Sequence, residues 1–120
     1  MPTLDTVERF VRLVESGQTV LAMQQFYADD ATMQENAAPP RVGKAALIQH
    51  EEGALASIAE LRARCVRPIF VSGDRVVIRW IFEIVGKDRK AMRFEELAYQ
   101  RWRGDLIAEE QFFYVPAQFK

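Results

Sequence analysis

Three glutamates fall on predicted faces that are otherwise apolar: Glu51, Glu96 and Glu110. A carboxylate in an apolar cavity can remove a proton from a carbon next to a carbonyl group, provided that a hydrogen-bond donor stabilises the resulting enolate. When two such carboxyl groups lie close together, repulsion and poor solvation raise the pKa of one, which can then donate a proton near neutral pH. We therefore take these three residues as candidate catalytic groups.

Glu51 and Glu35 each have a structural alternative. With about 100° of rotation per helical residue, Glu51 projects from the middle of an apolar stripe that contains Leu47, Ile48, Leu55 and Ile58. It either lines a pocket or forms a buried ion pair with an arginine such as Arg62 or Arg64. Glu35 follows a short predicted strand, where a solvated position at the edge of a loop is the alternative to a catalytic one.

Glu96 and Glu110 fall on the inner faces of their predicted strands, because side chains alternate between the two faces of a strand. A bulge at Glu95-Glu96 or Glu109-Glu110 would shift the register by one residue and turn one member of each pair outward. Both registers stay open from the sequence.

Other common catalytic arrangements find little support. The only imidazole is His50, at the edge of the same helical stripe, where exposure is expected. Ser16, Ser57 and Ser72 lack the context of a nucleophile elbow, and Cys65 lies in a predicted strand beside an arginine. One cysteine and one histidine are too few for a zinc site, so we expect no metal and no cofactor.

The first half of the chain predicts three helices. Asp5 and Glu8 form a capping box at the start of the first helix, which stops at Gly17. The second helix runs from about Thr19 to Tyr27, and the third from near Lys44 to about Leu61. Consecutive prolines before the third helix require a loop, which is placed to rim a cavity.

The second half changes to the two-residue period of strands. We predict strands from Arg64 to Ser72, from Val76 to Val85, from Met92 to Trp102 and from Leu106 to about Val115, after a brief strand from Ala31 to Glu35. Pro68 indicates an edge or bulge position in its strand. The inner faces hold most of the aromatic residues, some of which must line any cavity that the core leaves open: Trp80, Phe82, Phe94, Trp102, Phe112 and Tyr114.

This order of elements predicts an α+β fold in a single domain, residues 1–120, with three helices covering one face of a curved antiparallel β-sheet. The opposite face mixes apolar and charged residues and is too apolar for an ordinary solvated surface: Val77, Ile81, Val85, Leu97, Tyr99 and Phe113 lie beside Arg79, Glu83, Glu95 and Arg101. A homodimer formed through this outer sheet face is the expected assembly.

Composition argues against several classes of partner. Sixteen basic and seventeen acidic residues give a net charge of −1 without a charged block, so nothing favours nucleic acid. No segment approaches membrane-spanning length and no export signal is visible, so we expect a soluble protein that is not exported. The single Cys65 cannot form an internal disulfide, which favours a reducing cytoplasm.

Three local runs are distinctive: Phe26-Tyr27-Ala28-Asp29-Asp30-Ala31-Thr32-Met33-Gln34-Glu35, Pro39-Pro40-Arg41-Val42-Gly43 and Gly104-Asp105-Leu106-Ile107. With the order of elements, they resemble the nuclear-transport-factor-2-like superfamily, most closely its SnoaL-like polyketide-cyclase and ketosteroid-isomerase-like branches. The resemblance covers nearly the whole chain and implies the cone-shaped sheet of that superfamily. Because its members include isomerases, cyclases, dehydratases, hydrolases, ligand binders and protein-binding subunits, the fold alone does not settle the function.

Carried over position by position, the resemblance implies an isomerase site that is only partly present. The isomerase general base falls on Glu35. The two oxyanion donors fall on Phe10 and Ala98, which have no side-chain donor and are therefore expected only to contact the ligand. Tyr27 and Glu51 fall where the isomerases have pocket-facing tyrosines.

Three functions remain open. The first is an isomerase- or cyclase-type enzyme acting on a small ketone or polyketide-like substrate, with Glu35 as base and polar partners among Glu51, Glu96, Glu110, Tyr27 and Tyr114. The second is a non-catalytic binder of a small apolar ligand, and the third is a dimeric module that recruits another protein. The missing donors argue against ketosteroid isomerisation itself, whereas the inward carboxylates argue against an inert apolar binder.

Overall fold

The structure, a computed structural model, describes residues 1–119. Along the chain it contains α1 (Leu4–Glu15), α2 (Thr19–Phe26), β1 (Tyr27–Glu35), β2 (Arg41–Val42), α3 (Lys44–Ala56), β3 (Ile58–Ser72), β4 (Arg75–Gly86), β5 (Ala91–Arg103), β6 (Leu106–Phe113) and a short 3-10 helix (Pro116–Phe119). The predicted α+β fold, with three helices and a sheet, is confirmed. None of the described helices is long and apolar enough to cross a membrane.

The six strands form one open sheet in the order β2-β1-β6-β5-β4-β3. Strands β3 to β6 form a meander of antiparallel neighbours. Strand β1 pairs in parallel with β6, so the sheet is mixed rather than wholly antiparallel. Parallel neighbours need a long crossover connection, and the chain from β2 to β5 supplies it.

The core lies between α1, α2 and the inner face of the sheet. The apolar stripe of α1 is buried in full at the helical spacing, with Val7, Phe10, Val11 and Val14. These residues pack with inner-face residues of β4, among them Val76, Ile78 and Trp80. Helix α3 differs because Leu47 is its one buried residue. Ile48 is partly buried against the core, whereas Glu51, Ala54 and Leu55 face a cavity.

The predicted capping box at the start of α1 is wrong. Thr3 is the N-cap, and its side-chain oxygen accepts a hydrogen bond from the Thr6 backbone N–H at 3.1 Å. Glu8 instead pairs with Arg67 of β3 at 2.8 Å. The helix begins two residues earlier than the capping box indicates, because Thr3 rather than Asp5 is the N-cap and can fill that position equally well.

The predicted end of the third helix at Leu61 is also wrong. Helix α3 ends at Ala56, and Ile58 already pairs with Gly86 of β4. Ile58 and Leu61 fit the helical period of the preceding stripe, but as a strand they gain ladder hydrogen bonds and still face the cavity.

The remaining boundaries differ by a few residues. Helix α2 ends one residue early, β6 stops at Phe113, and β1 begins at Tyr27 rather than Ala31. The two-residue β2 was not predicted. The predicted features of Pro68 are confirmed, because β3 is an edge strand whose register with β4 shifts between Val66 and Phe70.

Candidate active site

A cavity of about 370 Å³ lies between the helices and the inner face of the sheet. Aromatic rings form much of its wall: Phe10, Tyr27, Trp80, Phe82, Phe94, Phe112 and Tyr114. Within this wall, Phe82 stacks on Phe94 with 5.1 Å between ring centroids, and Trp80 lies 5.7 Å from Phe82. A cavity of this size with flat walls suits a small, flat, largely apolar molecule.

Four glutamates from four different elements line this cavity. Glu35 ends β1, Glu51 lies in the middle of α3, and Glu96 and Glu110 come from the neighbouring strands β5 and β6. Among residues 1–119, no lysine or arginine lines the cavity. The cavity therefore combines apolar walls with acidic groups that have little positive charge around them.

In each of the sequence pairs Glu95-Glu96 and Glu109-Glu110, the two side chains lie on opposite faces of the sheet. Glu96 and Glu110 line the cavity, whereas Glu95 pairs with Arg79 at 2.9 Å and Glu109 pairs with Arg101 at 3.0 Å on the outer face. A register irregularity does occur in β5 and β6, but it lies between Arg101 and Trp102, beyond both pairs. The sequence left this register open, and the structure places the second member of each pair inside.

Glu110 is buried, at 3 % exposure, and both of its carboxylate oxygens accept hydrogen bonds. The Tyr27 hydroxyl donates to Oε1, and Gln100 Nε2 donates to Oε2 at 2.6 Å. Burial raises the pKa of Glu110 to about 7, although the two hydrogen bonds oppose that rise. Burial and the nearby Glu110 charge raise the pKa of Tyr27 well above its ordinary value, so its hydroxyl keeps the proton that it donates.

Glu96 has the more strongly perturbed carboxyl group. Burial, and then the charges of Glu110, Glu35 and Glu51, raise its pKa to about 8. Within residues 1–119 its carboxyl group has no hydrogen-bond or ion-pair partner that would oppose this rise. At neutral pH Glu96 is therefore mainly a carboxylic acid, able to donate a hydrogen bond or a proton into the cavity.

Glu35 is the more exposed of the cavity glutamates, and Glu51 is partly buried. The Glu35 side chain is 41 % exposed and lies 3.8 Å from Arg41, and the Tyr114 hydroxyl is 3.5 Å from Glu35 Oε2. Burial, opposed by the nearby His50, raises the pKa of Glu51. The alternative ion pair of Glu51 with Arg62 or Arg64 is not formed, because Arg62 pairs with Glu60 at 2.9 Å and Glu51 faces the cavity.

His50, the one imidazole, is exposed and borders the cavity beside Glu51. Among the described residues, no group of three or more histidine, cysteine, aspartate or glutamate side chains is placed to hold a metal ion.

A profile of the SnoaL-like domain family matches residues 7–110. The chain belongs to this family. A search of curated proteins finds no match. The resemblance to the nuclear-transport-factor-2-like superfamily that the local runs suggested is thereby confirmed at the level of family and fold.

Solved structures share the fold of this SnoaL-like domain at low sequence identity. One is a provisionally named SnoaL-like polyketide cyclase from Mesorhizobium loti, with 22 % identity, a TM-score of 0.79, and coverage of 95 % of this chain and 100 % of the other. A provisionally named polyketide cyclase from Xanthomonas campestris has 20 % identity and a TM-score of 0.77, covering 96 % and 91 %. A hypothetical protein from Catenulispora acidiphila with a ketosteroid isomerase-like fold, in complex with trimethylamine, has 18 % identity and a TM-score of 0.81, covering 98 % and 90 %.

Two residues predicted to bind ligand lie outside the cavity of the SnoaL-like domain. Ala98 and Trp102 are buried in the core and do not line the cavity. Trp102 packs edge-on against Phe10 and Phe26, because this end of β5 lies under α1 and α2. Phe10 does line the cavity but carries no hydrogen-bond donor.

Sequence reasoning missed Gln100. This residue is fully buried and donates a hydrogen bond to Glu110. Its signal was available, since it is a polar residue on the same inner face of β5 as Glu96, four residues further along. Because an amide does not titrate, Gln100 does not stand out in the sequence as a candidate acid or base.

Proposed function

We propose that this SnoaL-like domain is an acid–base catalyst of the isomerase or cyclase type, acting on a small, flat carbonyl compound such as a ketone or polyketide-like molecule. The observation that carries the proposal is the placement on one aromatic cavity of Glu96, whose pKa is raised by burial to about 8, and of Glu35, which lies 3.8 Å from Arg41. A carboxyl group that keeps its proton and a second carboxyl group in a different environment can serve as acid and base at the same pH.

In the proposed reaction, a Glu35 oxygen removes a proton from the carbon next to the substrate carbonyl. The C–H electron pair becomes the new C=C bond, and the carbonyl π pair moves to oxygen. Glu96 donates its proton, or a strong hydrogen bond, to that oxygen and so stabilises the enol or enolate. In a substrate with a neighbouring C=C bond, Glu35 returns the proton to the far carbon of the conjugated dienol while the carbonyl re-forms and the O–H proton goes back to Glu96, which completes an isomerisation. In a cyclisation, the enol carbon attacks a second carbonyl carbon, the oxygen of that carbonyl takes the proton from Glu35, and the enol O–H proton returns to Glu96.

The absence of donors at Phe10 and Ala98 is compatible with this reaction. The isomerase-like donor positions are filled by apolar side chains, but Glu96 on the same strand as Ala98 supplies a proton to the cavity. This replacement supports a carbonyl substrate of a different shape from a steroid.

The test is proton exchange at the carbon next to the carbonyl. A panel of small cyclic and aryl ketones in D₂O is followed by NMR with the wild-type protein, Glu35→Gln and Glu109→Gln, the last being an outward-facing control. We expect exchange with at least one ketone, a loss on the order of 100-fold in Glu35→Gln, and no change in Glu109→Gln. Exchange should also fall as the pH rises through about 8, because Glu96 then loses its proton.

A non-catalytic binder of a small apolar ligand is the second candidate. The aromatic wall favours it, as does the complex of the Catenulispora acidiphila protein of similar fold with a small molecule, trimethylamine. Ketone binding seen as chemical-shift changes in cavity residues, without exchange in the wild type, would support the binder and contradict the enzyme.

We also propose that the protein works as a homodimer through its outer sheet face. Leu97, Tyr99 and Phe113 are each more than 40 % exposed there. They lie among the ion pairs of Glu95 and Glu109 with arginines, so the face carries both signs of charge and can meet a second copy of itself without net repulsion. Sedimentation velocity should give a dimer for the wild type and a monomer for Tyr99→Arg, whereas a monomeric wild type would refute the proposal.

The reducing cytoplasm remains the proposed location. Cys65 is buried and has no disulfide, and burial raises the pKa of its thiol to about 11, so the group is unreactive. A folded Cys65→Ala variant of unchanged activity in the exchange assay would be consistent with that inert role.

A further inference from the structure

A continuous chain of buried hydrogen bonds runs from the core to the candidate site. Trp102 Nε1 donates to Gln100 Oε1 at 2.9 Å, Gln100 Nε2 donates to Glu110 Oε2 at 2.6 Å, and the Tyr27 hydroxyl donates to Glu110 Oε1. All four side chains belong to residues at most 3 % exposed. Water therefore does not compete for these groups.

Chemistry fixes the direction of the two hydrogen bonds that involve Gln100. The indole N–H of Trp102 can only donate, so it selects the orientation of the Gln100 amide in which the carbonyl faces Trp102. The amide nitrogen must then face Glu110, to which it can only donate. With the Tyr27 hydroxyl donating to Oε1, Glu110 accepts at both oxygens, an arrangement that favours the ionised carboxylate.

We infer that Gln100, held in orientation by Trp102, is a positioning residue that keeps Glu110 ionised. Of the two carboxyl groups Glu96 and Glu110, it is then Glu96 that donates a proton into the cavity. The inference rests on the proposed function, in which Glu96 is the acid. Glu110 itself is enclosed by its two donors and serves the site through its charge.

The groups around Glu110 support this division of roles. Tyr27 of β1 and Gln100 of β5 donate to it, Glu51 of α3 opposes its ionisation, and Glu96 of β5 feels its charge. After burial, the Glu110 charge is the largest influence that raises the pKa of Glu96, ahead of Glu35 and Glu51. If Glu110 took up a proton, that influence would disappear and Glu96 would ionise more readily.

The test is a carboxyl ¹³C NMR titration of Glu96 and Glu110 in the wild type, Gln100→Met and Gln111→Met. Methionine removes the amide with little change in volume. Gln111 is the control, because its amide donates to the Asn36 carbonyl and not to Glu110. In Gln100→Met we expect the titration midpoint of Glu110 to rise by about one pH unit and that of Glu96 to fall, which reverses their order.

Gln111→Met should leave both midpoints unchanged. A Gln100→Met variant that keeps the wild-type order would overturn the inference, even if it is less stable, since a purely structural residue changes the melting temperature without changing the order of titration.

A second measurement covers the case in which Gln100→Met does not fold. In the wild-type protein the Trp102 indole N–H resonance should shift with pH at the same midpoint as Glu110, because Gln100 links the two groups. An indole resonance that does not change between pH 5 and pH 9, while Glu110 titrates, would contradict the inference. Neither measurement depends on turnover, so failure of the ketone-exchange assay would remain a separate result.

Discussion

Two regions of the molecule collect glutamates and treat them in opposite ways. On one side, Glu8 and Glu15 of α1 both bind Arg67 of β3, at 2.8 Å and 3.1 Å. Glu15 also accepts a hydrogen bond from the Cys65 backbone N–H at 3.0 Å. In the cavity, Glu51 and Glu96 face aromatic walls, and no arginine or lysine of the described part of the chain lines them.

The pKa values follow this difference in partners. The hydrogen bond from Arg67 lowers the pKa of Glu8, whereas burial without a cation raises the pKa of Glu96 to about 8. The Arg67 cluster therefore holds charged glutamates that join a helix to the sheet, and the cavity holds glutamates that can carry protons. For Glu8 and Glu96, the presence or absence of a cation, more than burial alone, decides whether the pKa of the carboxyl group is lowered or raised.

The largest expected effect is a gain of stability in Glu96→Gln at high pH. Between the ordinary carboxyl value of 4.5 and about 8, folded Glu96 keeps a proton that the unfolded chain has lost, so the free energy of unfolding falls as the pH rises through this window. Glutamine avoids this loss. Urea unfolding should show a gain on the order of 2–4 kcal/mol at pH 9 and little change at pH 5.

Glu95→Gln is the matched control, because the neighbouring carboxylate faces outward and pairs with Arg79. It should bring no gain at pH 9. An equal response of the two variants to pH would mean that Glu96 does not hold its proton in the cavity.

The opposite sign is expected in the Arg67 cluster. Arg67→Met leaves Glu8 and Glu15 without their shared cation, and we expect a loss of about 2 kcal/mol at pH 7 after allowing for partial exposure. Because the pKa of Glu8 is lowered, this contribution is present above the ordinary value of 4.5 and is lost as the pH falls through the folded value. Urea unfolding at pH 7 measures the loss of stability, and urea unfolding at about pH 3 shows whether that loss disappears at low pH.

Arg12→Met is the control for the cluster. Arg12 lies 3.9 Å from Glu8 with a side chain that is 71 % exposed, so its removal should change the stability very little. A loss as large as that of Arg67→Met would show that charge near α1, and not the connection to β3, provides the stability.

Much of the fold could be predicted from the sequence because its signals are local. The two-residue alternation in β4 and β5 fixed which residues face inward, including Glu96. The end of α3 could not be predicted, since Ile58 and Leu61 fit a helical stripe and only pairing with β4 decides against it. The parallel pairing of β1 with β6 depends on residues far apart in the chain and leaves no local signal.

The candidate site was predictable to the extent that it depends on alternation. The alternation of side chains between the two faces of a strand identified Glu96 and Glu110 as inward-facing. It could not show where along a strand the cavity ends and the packed core begins. Ala98 and Trp102 share the inner face with Glu96, yet they lie in packed core because α1 and α2 cover that part of β5. Distances between elements decide this point, and a single sequence does not contain them.

The smallest effect is expected from Tyr27→Phe, which tests whether Glu110 ionises in the cavity. At pH 5 Glu110 is mostly protonated in the wild type, and the variant loses a hydrogen bond between neutral groups, on the order of 1 kcal/mol. As the pH rises through about 7, the wild-type Tyr27 stabilises a charged Glu110, so the difference should grow. Urea unfolding at pH 5 and pH 8 measures it, with the exposed Tyr99→Phe as a control that should show no loss. A Tyr27→Phe loss that is the same at both pH values would mean that Glu110 does not ionise in the cavity, and the contrast with the Arg67 cluster would then rest on Glu96 alone.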